Sequence, residues 1–201
     1  MLKEQKKQMA TLGKLQFRFA TERDRSLVEQ FCKDQDFSNN TSLDKMKWEW
    51  CLEVGAWTVA IDNEKIVSIA GVHPLPEVSE HAYRCLFRGA QLPGYTLGTG
   101  RDIFKTGIQL SYLLDLQIGW AMEKDINADL YISTNINDDG GKSQRMNNTI
   151  MPLLAKRGIW ELDRQMELYN VPQNLWRINV LTYMEERNRS LGNDNYTHQK
   201  S

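Results

Sequence analysis

Between residues 57 and 72 the chain alternates apolar and polar positions in two successive runs. Trp57, Val59 and Ile61 alternate with Thr58, Ala60 and Asp62, and a second alternating run spans residues 66–72. Asp62-Asn63-Glu64-Lys65 between them is turn chemistry, so the pattern predicts a β-hairpin. His73-Pro74-Leu75-Pro76 ends it, because proline cannot donate to a ladder. Upstream, residues 16–20 alternate and predict a first strand. Thr21 is a suitable helix N-cap with Asp24 three positions on, and Leu27, Val28, Phe31 and Cys32 mark one helical face. Ser42 can cap a second helix, with Leu43, Met46 and Trp50 on one side and Gly55 at its end. Residues 83–92 read as another strand. Residues 93–107 carry Pro93 and glycines at 94, 98, 100 and 107, a long loop of the kind that is usually functional.

Downstream, Leu110, Leu114, Ile118 and Ala121 form a helical stripe that Leu113, Leu116 and Trp120 widen, which predicts a largely buried helix. Residues 130–135 look like a short strand. Ser143 can cap a further helix that Gly158 ends, and Pro152 inside it predicts a kink. The pattern closes with a strand at 164–169, a turn at Val171-Pro172-Gln173 and a strand at 175–180. A polar arm is expected over residues 1–14, one domain over 15–182, and a flexible tail over 183–201. Strand runs flanked by helices give an α+β class, a mixed sheet with helices on both faces.

Composition narrows the function. With 201 residues one domain is the default, and a formal charge of -1 argues against a nucleic-acid-coating protein, while leaving room for a local basic patch. No apolar run approaches the ~20 residues that cross a bilayer, and residues 1–9 lack the apolar centre of a secretory signal, so no membrane partner is expected. Cys32, Cys51 and Cys85 are odd in number and widely spaced, with no CxxC pair, which argues against a zinc site and for core thiols in a reducing cytoplasm.

Asn147, Ile150, Leu154, Gly158 and Ile159 follow the 130–135 strand at spacings of 3, 4, 4 and 1. This run resembles the last core helix of the GNAT family, the acyl-CoA-dependent N-acetyltransferases. Leu154 stands where that family usually has Tyr, and Ile159 where it usually has Phe. Phe17-Arg18-Phe19-Ala20-Thr21 with Asp24 resembles the family's opening strand and helix cap, and the hairpin through Asn63 resembles its second and third strands. The resemblance covers residues 16–180. It implies a three-layer sandwich with a mostly antiparallel mixed sheet, whose fourth strand (83–92) and fifth strand (130–134) splay apart to admit the pantetheine arm of acetyl-CoA. It further implies a phosphate cradle before the helix after the fourth strand, here Gly98, Gly100, Arg101, Lys105, Thr106, Gly107 and Ile108, with Asn147 reaching the pantetheine amides. The family's phosphate loop has Gln or Arg three residues before its first Gly and Gly or Ala two after. Aligned on Gly107, those positions are Phe104 and Gln109.

Acetyl transfer to an amine needs a neutral nucleophile, a polarised thioester carbonyl and help for the departing sulfur, and no metal. Leu154 cannot donate a proton, so Tyr131 and Tyr169 are the candidate donors. No Glu lies on the fourth strand, which leaves His73 as the candidate base, because an imidazole titrates near neutrality. Trp48, Glu49, Arg84 and Arg88 are the candidate acceptor contacts; the two arginines fall on one strand face and suit a carboxylate or phosphate. Each has a plainer reading: a strand-end histidine, core tryptophans, solvated glutamates and an exposed sheet face. The acceptor can be a small-molecule or a protein amine, and a homodimer is neither required nor excluded. The alternative function is a catalytically inactive GNAT-fold binding or assembly protein.

Overall fold

The computed structural model describes residues 10–12, 15–34, 53–88, 108–137, 142–168 and 170–197. Its eight strands are β1 (Ala10–Leu12), β2 (Leu15–Phe19), β3 (Ala56–Asp62), β4 (Lys65–Pro74), β5 (Ala82–Arg88), β6 (Asp129–Asn135), β7 (Trp160–Leu168) and β8 (Val171–Ile178). They form one sheet in the order β1-β2-β3-β4-β5-β6-β8-β7. Every neighbouring pair is antiparallel except β5 and β6, which are parallel. Parallel neighbours need a crossover, and helix α2 (Ile108–Lys124) supplies it.

The hairpin turns where the sequence places it. Asn63 and Glu64 both have positive φ, 46° and 66°, which is the two-residue turn whose twist matches that of the strands. Before helix α1 (Arg25–Asp34), Asp24 accepts from the Thr21 amide at 2.8 Å and from the Thr21 hydroxyl at 3.0 Å. Arg18 on β2 donates to both oxygens of the same carboxylate at 2.8 and 2.7 Å, and its guanidinium holds the carboxyl down at about 2.

Residues whose Cα atoms pair across strands share a face. Phe17, Ala60 and Ala70 lie on one face, where Leu113 and Leu116 of α2 pack on them. Arg18 lies on the opposite face and reaches the lead-in to α1, so helices cover both faces of the sheet. Helix α3 consists of three consecutive pieces, Lys142–Arg145, a π turn over Met146–Ile150, and Met151–Lys156. Pro152 explains the middle piece: its ring clashes with the carbonyl four residues back, and one wider turn relieves the clash. The helix ends in a Schellman motif. Gly158 has φ 70°, its N–H bonds the Ala155 carbonyl at 2.9 Å, and Ile159 N–H bonds the Leu154 carbonyl at 3.1 Å.

The structure departs from the sequence reading in four places. Within the expected arm, Ala10–Leu12 pairs with β2 as an edge strand. β7 starts at Trp160, directly after the Schellman turn, and not at 164. Its hairpin turns at Asn170 (φ 60°), so Pro172 falls inside β8, where its carbonyl accepts from Ile136 N–H at 3.0 Å. Where a flexible tail was expected from residue 183, helix α4 (Val180–Thr197) is present. Asn179 caps it through a 3.0 Å bond to Thr182 N–H. Buried Tyr183 donates to Asp115 of α2 at 2.9 Å, and Arg187 pairs with the same carboxylate while lying 5.1 Å from the Tyr112 ring. The expected second helix falls outside the described residues except for Glu53 and Val54, which are helical.

Candidate active site

β5 and β6 pair over three residues only: Ala82 with Asp129, Tyr83 with Leu130 and Arg84 with Tyr131. Beyond that rung both strands continue, β5 to Arg88 and β6 to Asn135, and among the described residues they no longer pair with each other. Each stays paired on its outer side, β5 with β4 through Arg88 and β6 with β8 through Asn135. The facing edges therefore carry the backbone groups that would have closed the ladder, and among the described residues a wedge-shaped gap separates them. Helix α2 begins at the open end and finishes at the closed one.

The last closed rung gathers three of the sequence candidates. His73 on β4 pairs with Arg84 on β5, which pairs with Tyr131 on β6. All three side chains are buried. His73 Nδ1 lies 2.6 Å from the Pro74 carbonyl, and burial, with the nearby Arg84 charge, holds the imidazole down at about 4. It is neutral throughout the physiological range. The linkage has a definite sign: the unfolded histidine takes up a proton near pH 6.5 and the folded one does not until about 4, so stability is lost as pH falls across that window. Denaturant unfolding at pH 7 and at pH 4 is expected to differ by about 3 kcal/mol through this group. A His73→Asn variant should lose less stability than the wild type over the same interval.

Arg84 turns across the closed end of the gap. Its Nη2 donates to Ser133 Oγ on β6 at 2.5 Å. Ser133 is two residues past the last rung, on the same face, and half-buried. Sequence reasoning treated it only as a strand residue. The Tyr131 hydroxyl is pushed up by burial and lies in the field of Asp163, Asp129, Arg177 and Arg164, charges on β7, β8 and the start of β6 rather than on β5.

At the open end a polar network fixes β6. Trp176 Nε1 donates to Thr134 Oγ1 at 3.0 Å, Thr134 donates to Asn147 Oδ1, and Asn147 Nδ2 donates to the Asn135 carbonyl at 2.9 Å. Asn174 Nδ2 donates to Asn147 Oδ1 at 3.0 Å. An indole N–H only donates and a carbonyl only accepts, so these two ends set every orientation between them. Asn147 thus ties the π turn of α3 to the ends of β6 and β8. Leu154, in the position of the family's usual Tyr, packs against the main core cluster with Ile159, Met151 and Trp176.

Ile108 is the first residue of α2, and Arg88, the last of β5, pairs with Ile69. Gly98, Gly100, Arg101, Lys105, Thr106, Gly107, Trp48, Glu49 and Tyr169 lie outside the described residues. Among the described residues no group of three or more His, Cys, Asp or Glu could hold a metal ion, and no helix is long and apolar enough to cross a membrane. A surface groove of about 580 Å³ lined by Asp129, Glu161 and Arg177 sits beside the start of β6, at the closed end of the gap rather than in it.

No protein-family model matches the sequence, and no curated protein matches it. Solved structures do match. A GNAT-family protein from Desulfovibrio desulfuricans aligns with a TM-score of 0.52 at 13% identity, over 82% of this chain and 98% of its own. A protein from Staphylococcus epidermidis assigned as an acetyltransferase gives 0.51 at 15% identity, over 82% and 97%. The ribosomal L7/L12 alpha-N-protein acetyltransferase RimL gives 0.50 at 12% identity, over 85% and 93%. At such identities the likeness is one of architecture. The chain has the GNAT fold, in a sequence far diverged from those three.

Proposed function

We propose that this chain is an N-acetyltransferase that lays acetyl-CoA along β5 in the gap and passes the acetyl group to an amine by direct attack. The observation that carries the reading is the three-residue limit of β5–β6 pairing. A slender arm with amide groups fits a slot along which, among the described residues, β5 and β6 offer their backbone groups without pairing to each other. The phosphates then reach the N-terminal end of α2, with residues 98–107 as their cradle. The acceptor amine approaches past Arg84, Arg88, Trp48 and Glu49. His73 stands at the closed end in its proton-accepting form, at the cost of basicity. Proximity supplies much of the acceleration, and no covalent enzyme intermediate is needed.

A second reading, a binding or assembly protein that keeps the fold without transfer, is favoured by Leu154, whose side chain packs against the core and cannot serve a leaving group. Two measurements separate the cases. At a hundred times its dissociation constant, acetyl-CoA should stabilise the fold by about 2.7 kcal/mol, a rise of about 5–10 °C in melting temperature for a chain of this length. Thiol release from acetyl-CoA in the presence of pooled amines then distinguishes transfer from binding alone. A melt unmoved at millimolar acetyl-CoA would contradict the transferase and favour the second reading.

A further inference from the structure

The departing sulfur needs stabilisation: the position of the family's usual Tyr is filled by Leu154, which packs against the core and cannot donate, and the Tyr131 hydroxyl lies in the field of charges on β7 and β8. Ser133 is well placed. It is the residue of β6 that flanks the slot just past its closed end, on the face of Arg84. Its Oγ accepts from the Arg84 guanidinium at 2.5 Å, and its own O–H has no acceptor among the described residues. A hydroxyl that accepts from a cation is polarised into a stronger donor.

Resting on the acetyltransferase reading, we propose that Ser133 is a catalytic residue that donates a hydrogen bond to the sulfur of CoA as it leaves, with Arg84 as its positioning residue. The amine nitrogen attacks the thioester carbon and the C–N bond forms. The tetrahedral intermediate collapses and the C–S bond breaks. The electron pair of that bond goes to sulfur, which departs as a thiolate held by the Ser133 O–H, with the Arg84 charge behind it. The proton lost by the amine goes to neutral His73 and from there to solvent, and solvent later protonates the released thiolate. Ser133 keeps its proton throughout, which suits a hydroxyl far less acidic than a thiol.

The test needs no turnover. Wild-type protein and Ser133→Ala are loaded with free CoA, and the thiolate of the bound cofactor is read by ultraviolet difference absorbance against protein alone. Wild type is expected to hold about ten times more thiolate at neutral pH than Ser133→Ala, the scale of one charge-assisted hydrogen bond. Ser133→Thr, which keeps the hydroxyl, should behave as wild type, and Ser133→Val, its isostere, as alanine; that pair carries the test if the alanine variant does not fold. Equal thiolate in all four proteins overturns the role of Ser133 and leaves the acetyltransferase reading intact. Failure of the wild type to bind CoA overturns both. If transfer occurs, Ser133→Ala should lower kcat with acetyl-CoA about a hundredfold, the usual loss on removing one donor to developing charge. The loss should be much smaller with a p-nitrothiophenyl thioester, whose sulfur leaves unaided, and an equal loss with both donors would contradict the proposal.

Discussion

Gly55→Ala is expected to destabilise the fold by about 3 kcal/mol or more, far beyond the usual cost of a glycine-to-alanine change. A Cβ at Gly55 would sit 2.2 Å from the Val72 carbonyl oxygen and 3.0 Å from the His73 Cβ. Neither neighbour is a flexible side-chain end. Ala56 pairs with Val72, so the only way to make room is to separate β3 from β4 at that end. The clash also bears on His73, the inner wall of the last closed rung. Gly158→Ala provides the contrast. There the nearest atom to an added Cβ is Thr182 Cγ2 at 3.8 Å, but φ is 70°, so the expected cost is backbone strain of about 1–2 kcal/mol. Denaturant midpoints of the two variants should differ in that order, and a Gly55→Ala protein as stable as Gly158→Ala would show that β3 and β4 do not pack as described.

Asn147→Ala should cost about 3 kcal/mol, because a single deletion strips partners from Thr134, Asn174 and the Asn135 carbonyl together. For a chain of this length that is a fall of about 6–12 °C in melting temperature. Thr134 is buried, so water cannot restore its bond without opening the end of β6. The loss should exceed that of a typical surface Asn→Ala, and a change within 0.5 kcal/mol would mean that the network does not hold the open end of the gap.

Much of the frame was legible because local chemistry dictated it. The Asn63-Glu64 turn, the alternation of β3 and β4, and the Asn147-to-Ile159 spacing each have one physical solution, and the last is now explained: Leu154 and Ile159 are the apolar pair of a Schellman motif around Gly158. The local pattern makes Gly55 a helix stop, yet what constrains it is close approach to β4, a long-range contact that no local pattern encodes. Helix α4 is invisible to the local pattern for the same reason. Its sequence is polar, and what fixes it is Asp115 on a distant helix meeting Tyr183 and Arg187. The site was half legible. His73, Arg84 and Tyr131 were named separately, but only strand register shows that they form one rung, and only the end of pairing at that rung gives Ser133 a place beside the slot.

Hydrogen exchange with and without acetyl-CoA tests the central claim most directly, since it reads the two edges of the gap amide by amide. Slower exchange at gap-facing amides of residues 85–88, and at those of 132–135, is the expected result. Exchange at both edges that stays unchanged under saturating acetyl-CoA would contradict the account.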